Sequence, residues 1–318
     1  MKIRNKLYTV AVCFVVLLLL AGFGAFKPKT ASGGQKTSDA DQGISGSEQT
    51  GKTADSGVSG QKKIKYLGGV DSRMPENSAL VFFGSTFGMK LTSYKAYKNF
   101  DEAICALKSG EADAIWACDL STDYLLKVND GLVRVDADQN SDIQKTKDAR
   151  FSFGMALKKG SGEALRDEIN IAIGDMKADG TLAELVNKYV DNAENFETEQ
   201  GEKERFYPDK MRKKTGKGTI TVGITGAVPP LELLDKDMQP YGFCVAMMDE
   251  IGARTGKNVK FVYLDNETAF TSLMGGRVDL LFTYGTGYVT TEAKPGHIMT
   301  DGYLEMQRYE LIQNEVGR

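Results

Sequence analysis

The most informative pattern of apolar and polar positions lies between residues 217 and 300. Alternating apolar residues over 219–224 predict a strand with one buried face. Phe243, Met247 and Ile251 then recur at four-residue intervals, which predicts a helix with one buried stripe that ends at Gly256. The order is β-α-β-α-β, with strands at 219–224, 259–263 and 278–282 and helices at 243–254 and 267–274.

A second block of α/β pattern covers residues 78–190. Thr181 is predicted to cap its last helix. The Gly-containing stretch 84–88 lacks the Lys and Ser/Thr of a phosphate-binding loop, so a turn is predicted there. The predicted elements of this block are strands at 79–83, 90–94, 114–117 and 151–157 and helices at 99–108, 165–179 and 181–190.

The two blocks share a short repeated motif. The residues Leu107, Gly110 and Asp113 of one block recur at the same spacing in the other as Leu273, Gly276 and Asp279. At both places a helix closes on Gly, which suits a left-handed cap, and an Asp precedes a buried strand. The repeat predicts two lobes of the same α/β design.

The N-terminal end carries an apolar run of 20 residues, Leu7 to Phe26, preceded by Lys2, Arg4 and Lys6. This pattern fits a signal sequence and is long enough to span a bilayer. Phe23 stands where a lipid-bearing Cys would be needed, which argues against lipidation. We favour an uncleaved membrane anchor at 1–26 over a removed signal peptide, and the positive flank places the rest of the chain outside the cytoplasm.

The polar residues 27–62 contain almost no large apolar side chain, which predicts a flexible, disordered linker. The remaining chain, out of 318 residues with 41% hydrophobic content, can bury substantial cores, and a net charge of −3 argues against a nucleic-acid partner.

The residues that could carry redox or catalytic chemistry are few. The spacing of Cys105, Cys118 and Cys244 fits neither a zinc site nor a disulfide framework. We expect buried free thiols, with a Cys105–Cys118 bridge as the alternative. His297, the single histidine, has no acid-base partner at motif spacing. We therefore expect no catalytic residues, no metal and no cofactor.

Several segments resemble a known family. The stretches "TITVGITGAVPPLEL", "YGF", "LMGGRVDLLF" and "TTEAK" resemble the opening lobe of extracytoplasmic solute-binding proteins of bacterial family 3, which serve amino-acid uptake transporters. The stretch "GMALKKGSGEALRDEINIAIGDMKADGTLAELVNKYV" resembles that family's closing segment. The resemblance implies a two-lobed α/β fold of the periplasmic-binding-protein type II, with a solute between the lobes.

The order of the segments differs from the family's. A second-lobe-like block with closing helices, 63–190, comes first; a charged connector, 191–216, and a first-lobe-like block, 217–318, follow. Two interpretations fit this order: a circularly permuted single domain, or two tandem modules that each lack half. We favour the permuted domain because two half modules would each expose a lobe-sized apolar surface.

The resemblance also implies ligand contacts. The family holds the solute's carboxylate with the Arg of a Thr-x-x-Arg segment, and here Thr291 is followed by Lys294, which cannot make a two-pronged contact. The family's amine-binding Asp falls on Cys118, with Asp119 one residue later. Amino-acid specificity is therefore less firmly implied than binding of a small polar solute.

Other candidate ligand residues follow from their place on predicted strands. Tyr284, Gly285 and Thr286 come after a buried strand, at the end from which cleft residues arise. Trp116 could stack on a ligand or belong to the core, and Glu232 could face the cleft or cap a turn.

Three functional classes remain. The first is a binding protein that delivers a small polar, amino-acid-like solute to an ABC permease. The second is a sensing ectodomain of the same fold that acts on a membrane signalling partner. An enzyme on this fold is the least favoured class, because neither a catalytic dyad nor a metal cluster is evident in the sequence.

Overall fold

The computed structural model describes residues 64–70, 75–135, 151–213, 216, 218–285, 296–307 and 309–315. All of them belong to the compact unit Val58–Arg318, and the separate unit Met1–Gly57 holds none of them. The predicted anchor at 1–26 and linker at 27–62 therefore lie outside the described residues. Within these described segments, the helices are all too short or too polar to cross a bilayer.

The regular elements alternate along most of the chain. The strands are β1 (Tyr66–Gly69), β2 (Ser93–Ala96), β3 (Ala114–Cys118), β4 (Leu132–Val135), β5 (Phe151–Lys158), β6 (Thr219–Ile224), β7 (Leu233–Leu234), β8 (Pro240–Tyr241), β9 (Asn258–Tyr263), β10 (Leu280–Gly285), β11 (His297–Met299), β12 (Leu304–Met306) and β13 (Tyr309–Asn314). The α-helices are α1 (Glu76–Phe87), α2 (Phe100–Ser109), α3 (Asp119–Val128), α4 (Glu163–Ala178), α5 (Thr181–Val186), α6 (Glu199–Glu202), α7 (Phe243–Thr255) and α8 (Asn266–Met274).

Sheet 1 has the strand order β2-β1-β3-β13-β4. The strands β2, β1 and β3 run parallel, whereas β13 is antiparallel to both β3 and β4. Helices α1, α2 and α3 pack on this sheet and complete its lobe. A strand from the C-terminal end of the described chain thus lies inside a sheet whose other strands come from residues 66–135.

Sheet 2 has the order β11-β5-β10-β6-β9, with β12 also pairing with β5. Strand β5 is antiparallel to β10, and β6 is parallel to both β10 and β9. Helices α7 and α8 pack against strands of this sheet, and α4 and α5 pack against α7. Because β5 comes from the first sequence block and β6 from the second, each sheet combines strands from both blocks.

The repeated motif has the same role in both sheets. Gly110 and Gly276 both have positive φ, 81° and 74°, a left-handed conformation that glycine adopts readily. The Asp113 carboxylate accepts a hydrogen bond of 3.0 Å from the Tyr66 amide at the start of β1. The Asp279 carboxylate accepts one of 2.7 Å from the Thr221 amide in β6. Each Asp therefore joins the start of one strand, β3 or β10, to its parallel neighbour, β1 or β6.

The predicted strand at 79–83 is wrong, because these residues lie in helix α1. Ala79 and Phe83, one helical turn apart, are buried, while Val81 between them is 61% exposed. A short apolar run can suit either element, and here its buried positions follow the helical period. The turn predicted at 84–88 is also wrong for most of its length, since α1 continues until Gly88 caps it in the left-handed conformation.

Two smaller corrections concern helices. Gly180, not Thr181, is the N-cap of α5, and Thr181 is the first residue of that helix. The single buried stripe predicted for α7 understates its burial, since ten of its residues are buried. The reason is tertiary: α4 and α5 pack against α7, in addition to β8 and β9.

Candidate functional site

A cavity of about 140 Å³ lies between the two sheets. Its volume is close to the roughly 150 Å³ of a cavity that accepts benzene, so it suits a solute of about six to ten non-hydrogen atoms. Its described lining residues come from both lobes: Val70, Phe100, Trp116, Ala117, Cys118, Ser121, Phe153, Gly223, Thr225, Ala227, Val228, Glu232, Asn266, Ala269, Phe270, Leu281, Thr283, Tyr284, Met306 and Tyr309.

Three helices begin at this cavity. Phe100 is the first residue of α2, Cys118 is the N-cap of α3 and Asn266 is the first residue of α8, and all three line the cavity. The N-cap side chains of α3 and α8 make no capping hydrogen bond. Helix N-termini carry partial positive charge and unpaired N–H groups, so they add polar groups to the cavity wall.

Glu232 is 2% exposed and lies on the cavity wall. Its Oε2 accepts hydrogen bonds from the Thr225 amide (2.8 Å), the Gly226 amide (2.9 Å) and the Thr225 hydroxyl (3.1 Å). Its Oε1 accepts one from the Thr283 amide at 3.0 Å. Burial raises the pKa of the Glu232 carboxyl, while these hydrogen bonds oppose the rise. Glu232 thus fixes the turn after β6 to strand β10.

Aromatic side chains form much of the wall. Trp116 is 8% exposed, and its ring lies 5.1 Å from that of Phe83 and 4.6 Å from that of Tyr309, measured between centroids. Its Nε1 donates a hydrogen bond of 3.4 Å to the Tyr94 hydroxyl. Trp116 therefore belongs to the core beneath α1 and also lines the cavity.

Polar contacts join the two lobes beside the cavity. The Ser121 hydroxyl of α3 donates to the carbonyl of Pro229, which follows β6. The Asn266 side-chain amide of α8 donates to the carbonyl of Val70, which follows β1. Each contact joins a helix N-terminus of one lobe to a strand end of the other, so the cleft between the lobes is shut at both places.

The structure brings together Trp116, Glu232 and Tyr284, all of which line the cavity. Asp119 is the first residue of α3, and it is not among the described lining residues. Its Oδ2 accepts a hydrogen bond of 2.8 Å from the amide of Gln307, just after β12. Gly285 ends β10. The candidate residues Thr286, Thr291 and Lys294 lie outside the described residues.

Sequence reasoning missed four polar lining residues: Ser121, Thr225, Asn266 and Thr283. Thr225 directly follows β6, and Asn266 begins the helix after β9, so the rule that ligands bind beyond the carboxyl ends of strands could have found both. The hydroxyl of Thr283 lies 3.3 Å from that of Tyr303.

The three cysteines that the structure describes are free thiols, as predicted, but Cys105 is exposed rather than buried. Cys105 faces solvent because it lies between the buried positions of the amphipathic helix α2. Burial raises the pKa of the Cys118 thiol to about 11, and that thiol donates to the Ser121 hydroxyl at 3.2 Å. Within the described part of the chain, His, Cys, Asp and Glu form no group of three or more that could hold a metal ion.

The chain matches the family model described as "Bacterial extracellular solute-binding proteins, family 3" over residues 83–192 and 220–294, more than half its length. It is 31% identical over 137 residues to the "ABC transporter glutamine-binding protein GlnH" of Bacillus subtilis (strain 168). That alignment covers 41% of this chain and 46% of GlnH, so the chain spans less than half the length of this relative.

Solved structures of similar proteins include a mutant of ArgBP from T. maritima, with a TM-score of 0.37, 14% identity and coverage of 79% of this chain and 82% of that one. Another is the BvgS periplasmic domain of B. pertussis, with a TM-score of 0.34, 11% identity and coverage of 79% and 37%. These alignments are too loose to add to the family match. On the strength of that match, the chain belongs to the bacterial extracellular solute-binding proteins, family 3.

Proposed function

We propose that this protein binds one small polar, amino-acid-like solute between its two lobes, outside the cytoplasm, and delivers it to an ABC uptake transporter. The observation that carries the proposal is the cavity of about 140 Å³ to which both sheets contribute residues. A cavity of this size suits a single amino-acid-sized molecule, and its lining combines polar groups such as Ser121, Thr225 and Thr283 with apolar and aromatic side chains. The GlnH relative is named as a glutamine-binding protein of an ABC transporter, which agrees with this class of solute.

The proposal includes a circularly permuted order of the lobes. Its support is the exchange of strands: β13 lies between β3 and β4 in sheet 1, and β5 pairs with β10 in sheet 2. Neither sequence block contains all the strands of either sheet. Each block alone would therefore leave buried apolar edges and faces uncovered, which costs folding free energy.

Two of the proposed solute contacts, Asp119 and Lys294, carry opposite charge. Asp119 lies between the lining residues Cys118 and Ser121, and each of its carboxylate oxygens can accept more than one hydrogen bond. We assign it to the solute's cationic group. We assign the solute's carboxylate to the segment from Tyr284 to Lys294. A zwitterion that bridges these two sides would favour the closed arrangement of the lobes.

A thermal-shift screen of the 58–318 fragment against amino acids, small peptides and sugars tests the proposal. A solute present at 100 times its Kd should stabilise the fold by about 2.7 kcal/mol, which is easily seen as a rise in Tm. We expect at least one amino acid or close analogue to give this rise, with one-to-one stoichiometry in calorimetry. Stabilisation by sugars or peptides alone would contradict the amino-acid-like assignment, and the absence of any stabilising solute would contradict solute binding.

Membrane attachment through 7–26 completes the proposal. Its support is the sequence pattern alone: a 20-residue apolar run after three basic residues, with Phe23 at the position where a lipid-accepting Cys would be needed. Fractionation of cells that express the full chain should place it in the membrane pellet. A soluble form that begins near Phe26 and is released into the medium would contradict attachment.

A further inference from the structure

The connector, defined above as residues 191–216, takes an indirect route. It follows α5 and the π-helical turn Asn187–Asp191, and it leads to β6 in sheet 2. Helix α5 packs on α7 in the lobe of sheet 2. Both of its ends thus lie in the same lobe. Its 3₁₀ turn Ala193–Glu197 nevertheless packs on α3 in the lobe of sheet 1. A direct link between the two ends would not need this contact.

Glu197 in this turn contacts both lobes through a single oxygen atom. Its Oε1 accepts a hydrogen bond of 2.9 Å from the hydroxyl of Tyr124, which lies on α3. The same Oε1 accepts a hydrogen bond of 2.6 Å from the hydroxyl of Tyr241, which lies on β8 beside α7. Both tyrosines are buried. Hydrogen bonds to a charged acceptor, from donors shielded from water, are the stronger kind.

The position of the Glu197 side chain is fixed from within the connector. The Arg205 guanidinium donates to Glu197 Oε2 at 2.9 Å and to the Phe196 carbonyl at 3.0 Å. Its carbon Cζ lies 4.4 Å from the centre of the Tyr241 ring. Arg205 therefore holds the carboxylate in place between the two tyrosines, so little side-chain entropy is lost when both hydroxyls bind it.

A second contact lies one helical turn along α3. The Lys127 ammonium donates to the Asp191 carbonyl at 2.9 Å and forms an ion pair of 2.9 Å with Glu194. This pair is more exposed than the Glu197 cluster, so its contribution is smaller. Together the two contacts attach α3 to both ends of the same turn of the connector.

We propose that Glu197 is a positioning residue that limits how far the cleft opens, with the connector as a third link between the lobes. The chain itself crosses between the sheets twice, from β4 to β5 and from β12 to β13. Covalent crossings by themselves would leave the lobes free to rotate about them, as in hinge closure around ligands. The Tyr124–Glu197–Tyr241 bridge must break, or α3 must carry the connector with it, before the lobes separate.

The protein's own cysteines measure cleft opening without any solute. Cys118 lines the cavity between the lobes, whereas Cys244 is buried inside α7, within one lobe. Exposed Cys105 reacts in any state, so it is replaced by Ser. In the Cys105→Ser protein, the rates of iodoacetamide labelling at Cys118 and at Cys244 are read separately by mass spectrometry of their peptides at pH 8.5. The Cys118 rate reports cleft opening, and the Cys244 rate reports unfolding.

Glu197→Ala should raise the labelling rate of Cys118 about ten- to a hundredfold, the factor expected for hydrogen bonds to a charged group, without changing that of Cys244. Tyr124→Phe removes only the hydroxyl on the sheet 1 side and should raise the Cys118 rate in the same direction. The matched control is Tyr66→Phe, which removes the hydroxyl of a tyrosine on β1 that is 44% exposed. It should leave the labelling rates of Cys118 and Cys244 unchanged.

Two results would overturn the proposal. An unchanged Cys118 rate in both Glu197→Ala and Tyr124→Phe would show that the bridge does not restrain the lobes. A parallel rise at Cys118 and Cys244 would show that Glu197 stabilises the whole fold rather than the position of the lobes.

Discussion

The rings of Trp116 and Tyr309 lie 4.6 Å apart, centroid to centroid, and both line the cavity. Trp116 is in β3 and Tyr309 begins β13, so the two residues are almost 200 positions apart in a chain of 318. This pair shows that the two sequence blocks jointly build one wall of the cavity. Trp116 is the single tryptophan of the chain, and it lines this cavity.

The first prediction uses Trp116 as a reporter. A solute that enters the cavity should change the polarity and packing around the indole and therefore shift its fluorescence emission. Titration of the solute, followed by tryptophan emission, should give the same Kd as calorimetry. In Trp116→Phe the tryptophan signal disappears, and calorimetry then reports whether the ring also contributes to affinity. Calorimetric binding to the native protein with no change in emission would place the solute elsewhere.

The second prediction concerns Glu232. Glu232→Ala would leave the amides of Thr225, Gly226 and Thr283 without their carboxylate acceptor, so the free energy of unfolding should fall by about 2–4 kcal/mol. Urea denaturation measures the change. The matched control is Glu305→Ala on the exposed face of β12, which should stay within about 0.5 kcal/mol of the parent. If both substitutions lower the free energy of unfolding equally, the hydrogen bonds of Glu232 do not stabilise the cavity wall.

A third prediction compares two glycines of negative φ. A Cβ at Gly174, on the exposed face of α4, meets no atom within 4 Å, so Gly174→Ala should stabilise the fold by about 0.5–1 kcal/mol. A Cβ at Gly201 would overlap the carbonyl oxygen of Asn195, where the connector folds back on itself. Gly201→Ala should therefore destabilise by about 1–3 kcal/mol. If Gly174→Ala and Gly201→Ala change Tm in the same direction, the close approach of Gly201 to Asn195 in the connector is contradicted.

The fourth prediction tests the two charged contacts assigned to the solute. Asp119→Ala and Lys294→Ala should each weaken binding about ten- to a hundredfold, the factor for a lost charge-assisted hydrogen bond. Asp123→Ala is the control, because Asp123 lies on the same helix but pairs with Arg134 at the surface. Native affinity in both test variants would mean that the family's contacts do not carry over to this chain.

Most of the elements that local pattern predicted are present in the structure, although several others, α3 among them, were not predicted. The helix ending at Gly256 and the strand at 219–224 were recovered within a residue, because their periodicity and stop signals are strong. The error at 79–83 arose because a five-residue apolar run carries no period of its own. The full burial of α7 could not be read from its own residues, since α4 and α5 supply the covering surface.

The candidate site was only partly predictable for a similar reason. Trp116 and Tyr284 follow from their places on buried strands. Ser121 lines the cavity because the N-terminal turn of α3 meets the other lobe there, and that meeting depends on how the sheets are arranged. The contacts of Glu197 could not be predicted from local pattern, because its two tyrosine partners lie 73 residues before it and 44 residues after it.

Hydrogen–deuterium exchange of the full chain, with and without the solute found in the screen, tests the central claim most directly. A solute held between the lobes should slow exchange at the same time in the α3 N-terminus around Ser121 and in the turn after β6 around Thr225. The repeated measurement on Asp119→Ala at equal solute concentration should show weaker protection in both segments. Protection confined to one lobe, or to segments remote from the cavity, would contradict a shared site.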